Sequence, residues 1–449
     1  MIRWPDASTL ATVAKTDVDA KLAGDSDPKP GPSETPTAEA IPKPDNTNAL
    51  DDLIRRALTE NRTVQAAFHN LQSLKHRIPQ VTTLDDPVAS NAIFPIPSVG
   101  PQYSLMGYNP YNLTIAQQFP WFGTLKLRGE AAEHDVRVAC AELAAAQWDT
   151  VAAVKRAYYN LYAGVRSEAI LTQTREILED FQTIAKERLV NGGSRQDLLR
   201  AEILVSELDR ELAVNRQAVA SAKAALARQV HTRVTEDFPT PAKLPLTTTP
   251  TDFDRLLQLA VAARPEIQGR IAAVARDEKA VELARKRFYP NVTLGMTYMD
   301  MEKTNAVTPR TASGVPNIGF FAAFNLPVHR QKYQEGVFEA QQRTLADAKL
   351  HEAEIDAAAT EIYDLVAQVK AQSNLLKLLN ENILPKARET FELARSDYTE
   401  GNVDYATAQS ALRETLQIEL QIAQNEAELA KAAASLERAV GLELTAIPR

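Results

Sequence analysis

The sequence predicts a mainly α-helical protein with a membrane-sized β component, laid out as two tandem repeats of strand, strand, long helix and short helix. Three observations lead there. No proline occurs between Trp121 and Phe238, in a tract dominated by Ala, Glu, Gln, Leu and Arg, so the helices of that region are expected to be very long. A set of landmarks recurs twice in one order. Between the helical tracts lie short segments that alternate apolar with polar residues, the period of a half-buried strand.

Residues 1–47 carry Pro28, Pro30, Pro32, Pro36, Pro42 and Pro44 among Ser, Thr, Asp and Lys, a composition that cannot bury enough apolar surface to order itself, and they are expected to form a disordered leader or linker. No apolar core follows Met1-Ile2-Arg3-Trp4-Pro5-Asp6, so the pattern of a signal peptide is not visible there. The first repeat is placed at 48–245 and the second at 246–445. Leu53-Ile54-Arg55-Arg56-Ala57-Leu58 with Val64-Gln65 is echoed by Leu256-Leu257-Gln258-Leu259-Ala260 with Ile267-Gln268, an offset of 203 residues. Pro79 and Pro290 are each expected to end a helical tract and open an extended one, since proline disfavours helix in the residue before it. Pro120 and Pro327 are expected in the first turn of a long helix. Tyr159-Asn160-Leu161 matches Tyr363-Asp364-Leu365, and Asn191-Gly192-Gly193-Ser194 matches Glu400-Gly401-Asn402.

The strands are clearest in the second repeat, where Val292, Leu294, Met296 and Tyr298 alternate with Asn291, Thr293, Gly295 and Thr297, and Ile318, Phe320, Ala322, Phe324 and Leu326 return after a polar loop. In the first repeat Leu113, Ile115 and Phe119 predict the returning strand, while residues 81–108, broken by four prolines, predict only an irregular outgoing one. In the long helix, Val151, Val154, Tyr158, Leu161 and Val165, continued by Ile170, Thr174, Ile177, Phe181 and Ile184, predict a coiled-coil seam. From Pro120 to Val190 such a helix spans on the order of 105 Å. The tracts 50–78, 194–230 and 253–288 are about half as long, so two stacked end to end would match one long helix.

A net charge of −8 with mixed signs makes nucleic acid an unexpected partner. The single cysteine, Cys140, excludes an internal disulfide and reads as a small buried apolar residue. The six histidines show no metal-ligand spacing, and no nucleophile elbow, phosphate loop or dinucleotide fingerprint occurs. Met296, Met299 and Met301 read as strand and loop residues rather than metal ligands. Neither a catalytic residue, nor a metal, nor a cofactor is therefore assigned.

No run of about 18 apolar residues predicts a membrane-spanning helix. The strands, however, have the length of about ten residues that crosses a bilayer when tilted. Open sheet edges do not survive in hydrocarbon, and four strands cannot close a barrel, so several chains are expected to share one; three copies would give twelve strands. Ile318, Phe320 and Phe324 are the residues expected to face lipid. Long helices would continue the tube on one side of the membrane, which implies transport.

Three stretches resemble the TolC family of outer-membrane efflux proteins: Gln118-Phe119-Pro120-Trp121-Phe122-Gly123, Val154 to Leu161, and the tract from Ile383-Leu384-Pro385-Lys386-Ala387 through Tyr398 to Tyr405 and on to Leu436-Glu437-Arg438-Ala439-Val440-Gly441-Leu442. The resemblance covers about residues 48–445 and is nearest to the cation-efflux branch. It implies a homotrimer with a twelve-stranded barrel in outer-membrane lipid, a helical barrel in the periplasm, and docking to a periplasmic adaptor and an inner-membrane pump. It also implies that the turns between helices form the periplasmic tip, where the channel shuts and the adaptor docks: here Asn191, Gly192, Gly193 and Ser194, and Tyr398, Gly401, Asn402 and Val403. Asp197 matches an acidic position beside the first tip and Asp404 is the second candidate for a pore gate, whereas Val403, Thr407 and Ser410 replace the charged residues of better-known members. Asp197 reads equally as a first-turn helix acid beside the Ser194 cap. The expected cargo is small solutes or metal cations, and an outlet for secreted protein, of the type I kind, stays open beside it. Two rivals of another class are a periplasmic adaptor, which would have one helical hairpin and soluble β-domains, and a structural coiled coil, which would leave the alternating strands unexplained.

Overall fold

The computed structural model describes residues 49–93, 108–190, 194–233, 237–241, 243–244, 249–302 and 315–444. The chain runs through α1 (Ala49–Glu60), α2 (Arg62–Thr82), β1 (Val88–Ile93), β2 (Tyr108–Phe119), α3 (Thr124–Val190) and α4 (Arg195–Val230). It then runs through α5 (Phe253–Ala263), α6 (Pro265–Lys286), β3 (Val292–Glu302), β4 (Asn317–Phe324), α7 (Arg330–Leu378), a π-helical segment (Leu379–Ile383), α8 (Leu384–Glu400) and α9 (Tyr405–Val440). At 67 residues, α3 is about 100 Å long. None of the helices described is both long and apolar enough to cross a membrane.

The half-length tracts 50–78 and 253–288 each hold two helices in place of one. Asn61 breaks the first, its side chain accepting the Thr63 and Val64 N–H groups that begin α2. Arg264 and Pro265 break the second. Both breaks receive the end of another helix. Asn61 Nδ2 donates to the Gln229 carbonyl and Arg62 Nε to His231 Nε2, where α4 stops with His231 at φ 59°. At the second break, Gly441 stops α9 at φ 75°, and a Cβ there would lie 3.0 Å from Arg264 Cα, so the position needs glycine for both conformation and space. The half-length helices thus meet end to end beside α3 and α7.

The seam of α3 lies near the expected positions, with one rotation. Val151, Val154, Tyr158, Leu161, Ile170, Thr174 and Phe181 are buried, but Leu171, Leu178 and Ala185 fill the core where Ile177 and Ile184 are only partly buried, and Val165 is exposed. Cys140 corrects its expectation in the same way: it is exposed, because the buried place on that turn is taken by Ala139.

Proline corrects three boundaries. Pro79 lies inside the last turn of α2, where the Thr82 and Thr83 hydroxyls bond the Ile78 and Pro79 carbonyls. Pro120 and Pro327 precede their helices, which start at Thr124 and Arg330. Pro385, which cannot donate to the helix ladder, follows the π-helical segment; there the Leu384 N–H reaches back to Leu379, and the wider turn carries the helix past the ring.

The four strands form one antiparallel sheet in the order β1-β2-β3-β4. Pairing along β3 follows the expected alternation: Ile115 opposes Met296, which opposes Phe320, and Phe119 opposes Val292, which opposes Phe324. One face therefore carries Ile115, Leu294, Met296, Ile318, Phe320 and Phe324, all exposed. The other carries Thr114, Thr297 and Gly319, with the two threonine hydroxyls 3.1 Å apart, and Phe321 lying over Gly295. The outgoing strand of the first half is short but regular, Val88–Ile93 in unbroken register with β2, and β4 ends at Phe324 rather than Leu326.

Candidate gate at the helix tips

The two helical hairpins, α3 with α4 and α8 with α9, turn at the same end of the molecule. Their tips are held together by a shared core in which Leu178, Phe181 and Leu204 of one meet Phe391, Tyr398 and Tyr405 of the other. The aromatic rings are arranged around Phe181, whose centroid lies 5.9 Å from Tyr398, 6.1 Å from Phe391 and 6.4 Å from Tyr405. Tyr398 meets Tyr405 edge to face at 5.6 Å.

The second turn is built by Gly401 at φ 89°, with Asn402 N–H donating to the Asp397 carbonyl. Asp404 then caps α9, its carboxylate accepting both the Thr407 N–H and hydroxyl. Those bonds, chiefly the hydroxyl's, and the nearby Arg200 hold the Asp404 carboxyl below its ordinary value. At the first turn, Asn191, Gly192 and Gly193 lie outside the described residues, and Ser194 caps α4 by accepting the Gln196 N–H at 3.1 Å. Asp197 is half-buried in the first turn of α4, and its side chain makes no hydrogen bond to the cap. Its charge is felt across the hairpin interface. Burial first, and Asp197 after it, raise the Tyr398 hydroxyl above its ordinary value, and burial, Tyr398 and Asp197 push Tyr405 up to about 12. Both hydroxyls are buried without a hydrogen-bond partner among the described residues.

Arg188, in the last turn of α3, is a tip residue that no sequence motif marks. Its Nη1 donates to the Tyr398 carbonyl at 2.8 Å, its guanidinium lies 4.7 Å from the Tyr398 ring centroid, and it sits against Gly401, where a Cβ would come within 3.2 Å. Arg413 pairs with Glu207, also between hairpins. The available signal for this cluster is aromatic: Phe181, Phe391, Tyr398 and Tyr405 interrupt Ala-rich tracts near both turns. Of the residues expected to receive a docking partner, Ser194, Gly401 and Asn402 are exposed and Val403 half-buried. Tyr398 is buried at 1% exposure, because its ring packs against Phe181 and Tyr405 in the tip core.

Residues 256–442 match the protein family described as outer membrane efflux protein. Among solved structures, the outer-membrane channel OprN is 20% identical, with 92% of this chain and 98% of that one covered at a TM-score of 0.73. The outer membrane protein VceC of Vibrio cholerae is 18% identical over 88% and 96% at 0.72. The outer membrane channel MtrE of Neisseria gonorrhoeae, in its open state, is 21% identical over 88% and 89% at 0.72. None of the curated protein sequences matches.

Proposed function

We propose, from a chain whose residues 256–442 match the outer membrane efflux protein family and whose described residues fold like outer-membrane channels, that it is one protomer of the exit duct of an efflux pump. The observation that carries this reading is the sheet. Its apolar face is exposed from Ile115 through Met296 to Phe320, its outer strands β1 and β4 have no partner on their far sides among the described residues, and it continues directly into helices of about 100 Å. Lipid satisfies the exposed face, and neighbouring copies satisfy the edges. Three copies make a closed barrel of twelve strands in the outer membrane, with the helices forming a tube in the periplasm that meets an adaptor and an inner-membrane pump. The duct is passive and performs no catalysis. The two units 48–245 and 246–445 are duplicated; the matched joints at Asn61 with His231 and at Arg264 with Gly441 support this.

The tube closes where the hairpins turn. Asp197 repeated around a threefold axis concentrates negative charge in a narrow ring and favours cations, whereas Asp404, engaged with Thr407, contributes less. The test is single-channel recording in planar bilayers. Wild type conducts with a cation preference that weakens with salt, and Asp197→Asn lowers that preference without changing the mass of the assembly. Unchanged selectivity with a less stable α4 assigns Asp197 to the helix alone and moves the gate elsewhere.

A further inference from the structure

Where the strands pass into helices, the charge balance changes abruptly. Segments 108–129, 285–299 and 315–334 hold Lys126 and Arg128, Arg285 to Arg287, and Arg330 and Lys332, and no Asp or Glu. Arg128, Lys286 and Arg287 make no ion pair with any described residue, and together they line a cavity of about 250 Å³ with Tyr289, Asn291 and Tyr333. The last rung of the apolar sheet face, Phe119 with Val292 and Phe324, stands immediately beside it. Trp121 stacks on Tyr289 at 5.0 Å with an interplanar angle of 11°, next to the fully projecting Phe122.

The polar lining is set to donate. Asn291 Oδ1 accepts the Trp121 N–H and Asn325 Oδ1 accepts the Asn291 N–H, so both amides spend their oxygens on backbone and keep their NH₂ groups. Lys286 lies over the Gly123 turn, its Nζ 3.7 Å from where a Cβ would stand. The nearest acids are engaged elsewhere or turned to solvent: Glu130 pairs with Lys126 and Lys279, Glu282 pairs with Lys279, and Glu335 is exposed. Asp85 and Asp86 precede β1, which is two strands from β3 and therefore about 10 Å away. Three uncompensated cations, amide donors and an aromatic shelf beside an apolar surface match a ligand with an anionic head and apolar tails. The volume is below the roughly 300–1,000 Å³ of a site for a drug-sized ligand and suits a headgroup alone.

We propose that this cavity binds the phosphate of a phospholipid headgroup from the leaflet that faces the helices. Arg128 and Arg287 grip the phosphate oxygens, Lys286 supplies a point charge, and the Trp121–Tyr289 stack marks the depth of the interface. The proposal rests on the membrane reading of the sheet and adds a specific lipid site to it.

The full chain in mild detergent, studied by native mass spectrometry, tests it with three probes: dioleoylphosphatidylglycerol, dioleoylglycerol with the same tails and no phosphate, and inorganic phosphate. The phospholipid is expected to remain bound to the assembly, dioleoylglycerol to bind roughly tenfold less, and inorganic phosphate at millimolar excess not to displace the phospholipid. The combined variant Arg128→Gln, Lys286→Gln, Arg287→Gln should lose phospholipid adducts by about tenfold while keeping its mass and its place in the membrane fraction. Equal retention of dioleoylglycerol, or displacement by inorganic phosphate, overturns the proposal and leaves the membrane reading standing. Wild-type protein that binds neither lipid and leaves the membrane fraction overturns both. Should the variant fail to assemble, the three probes on wild type decide the matter by the same criteria.

Discussion

Two side-chain clusters on the helices convert directly into measurable outcomes. Arg264, 5% exposed at its side chain, bonds Glu361 at 2.8 Å and lies 3.4 Å from Glu266 and 3.6 Å from Glu354, while Arg438 joins Asp149 and Glu266 at 2.7 Å. Removing Arg264 would leave Glu354 without this partner and Glu266 and Glu361 to Arg438 alone, at the α5–α6 break. Arg264→Ala is therefore expected to destabilise by about 3–5 kcal/mol, read as a lower denaturation midpoint, and an unchanged midpoint would show that the break is held by Gly441 packing alone. Between α6 and α7, burial raises the Asp347 carboxyl above its ordinary value, and the adjoining Asp277 carboxyl adds to this against the opposing charges of Arg276 and Arg270. A carboxyl raised on folding holds its proton more tightly in the folded state. Its contribution is present in acid and is lost as pH rises from the unfolded value of about 4 through the folded one. Asp347→Asn should accordingly gain stability relative to wild type near neutral pH and not near pH 4. A thermal melt series with parallel curves for the two proteins would contradict this.

Elements carry the membrane signal through period rather than composition. In β4, Phe320 and Phe324 share the face that pairs with Met296 and Val292, and Gly319 lies on the other, with open space where a Cβ would stand. Phe320→Arg should cost about 2–4 kcal/mol if the ring faces lipid near the midplane, and Gly319→Arg should be milder. Folding yield into lipid vesicles distinguishes them, and equal tolerance would remove the alternation as a membrane signal. The same strand shows why boundaries are harder to read than faces. Leu326 continues the apolar period, but pairing stops at Phe324, because Asn325 turns its side chain back to the Asn291 N–H. In the helices, the proline at 385 is absorbed by a π-turn, which follows from how the backbone passes the ring and not from the apolar period.

For the whole molecule, the open sheet is the deciding feature. A four-stranded sheet whose two edges have no partner among the described residues has no stable place in hydrocarbon as a monomer, so mass measurement in mild detergent should find three chains. A monomer that keeps its strand content would end the shared-barrel argument. The proposed gate rests on the same association, since Asp197 would form a ring only if three copies converge.

Local periodicity and turn chemistry suffice for the parts of this protein that depend on neighbours in sequence. The long helices, the two-faced strands and the Gly401 turn are all legible, because proline-free heptads, period-two alternation and left-handed stops act within a few residues. Tertiary structure decides what depends on residues far apart. It sets Arg188 on the Tyr398 carbonyl 210 positions away, buries Tyr398 instead of exposing it, and turns Cys140 outward in favour of Ala139. It also gathers Arg128, Lys286 and Arg287 around one cavity from two separate tracts. The physical reason is common to all of these. A helix or strand pattern says which face is apolar, but which residue on that face meets which partner follows from how two helices of such length lie against each other, and a rotation of one residue changes every contact along them.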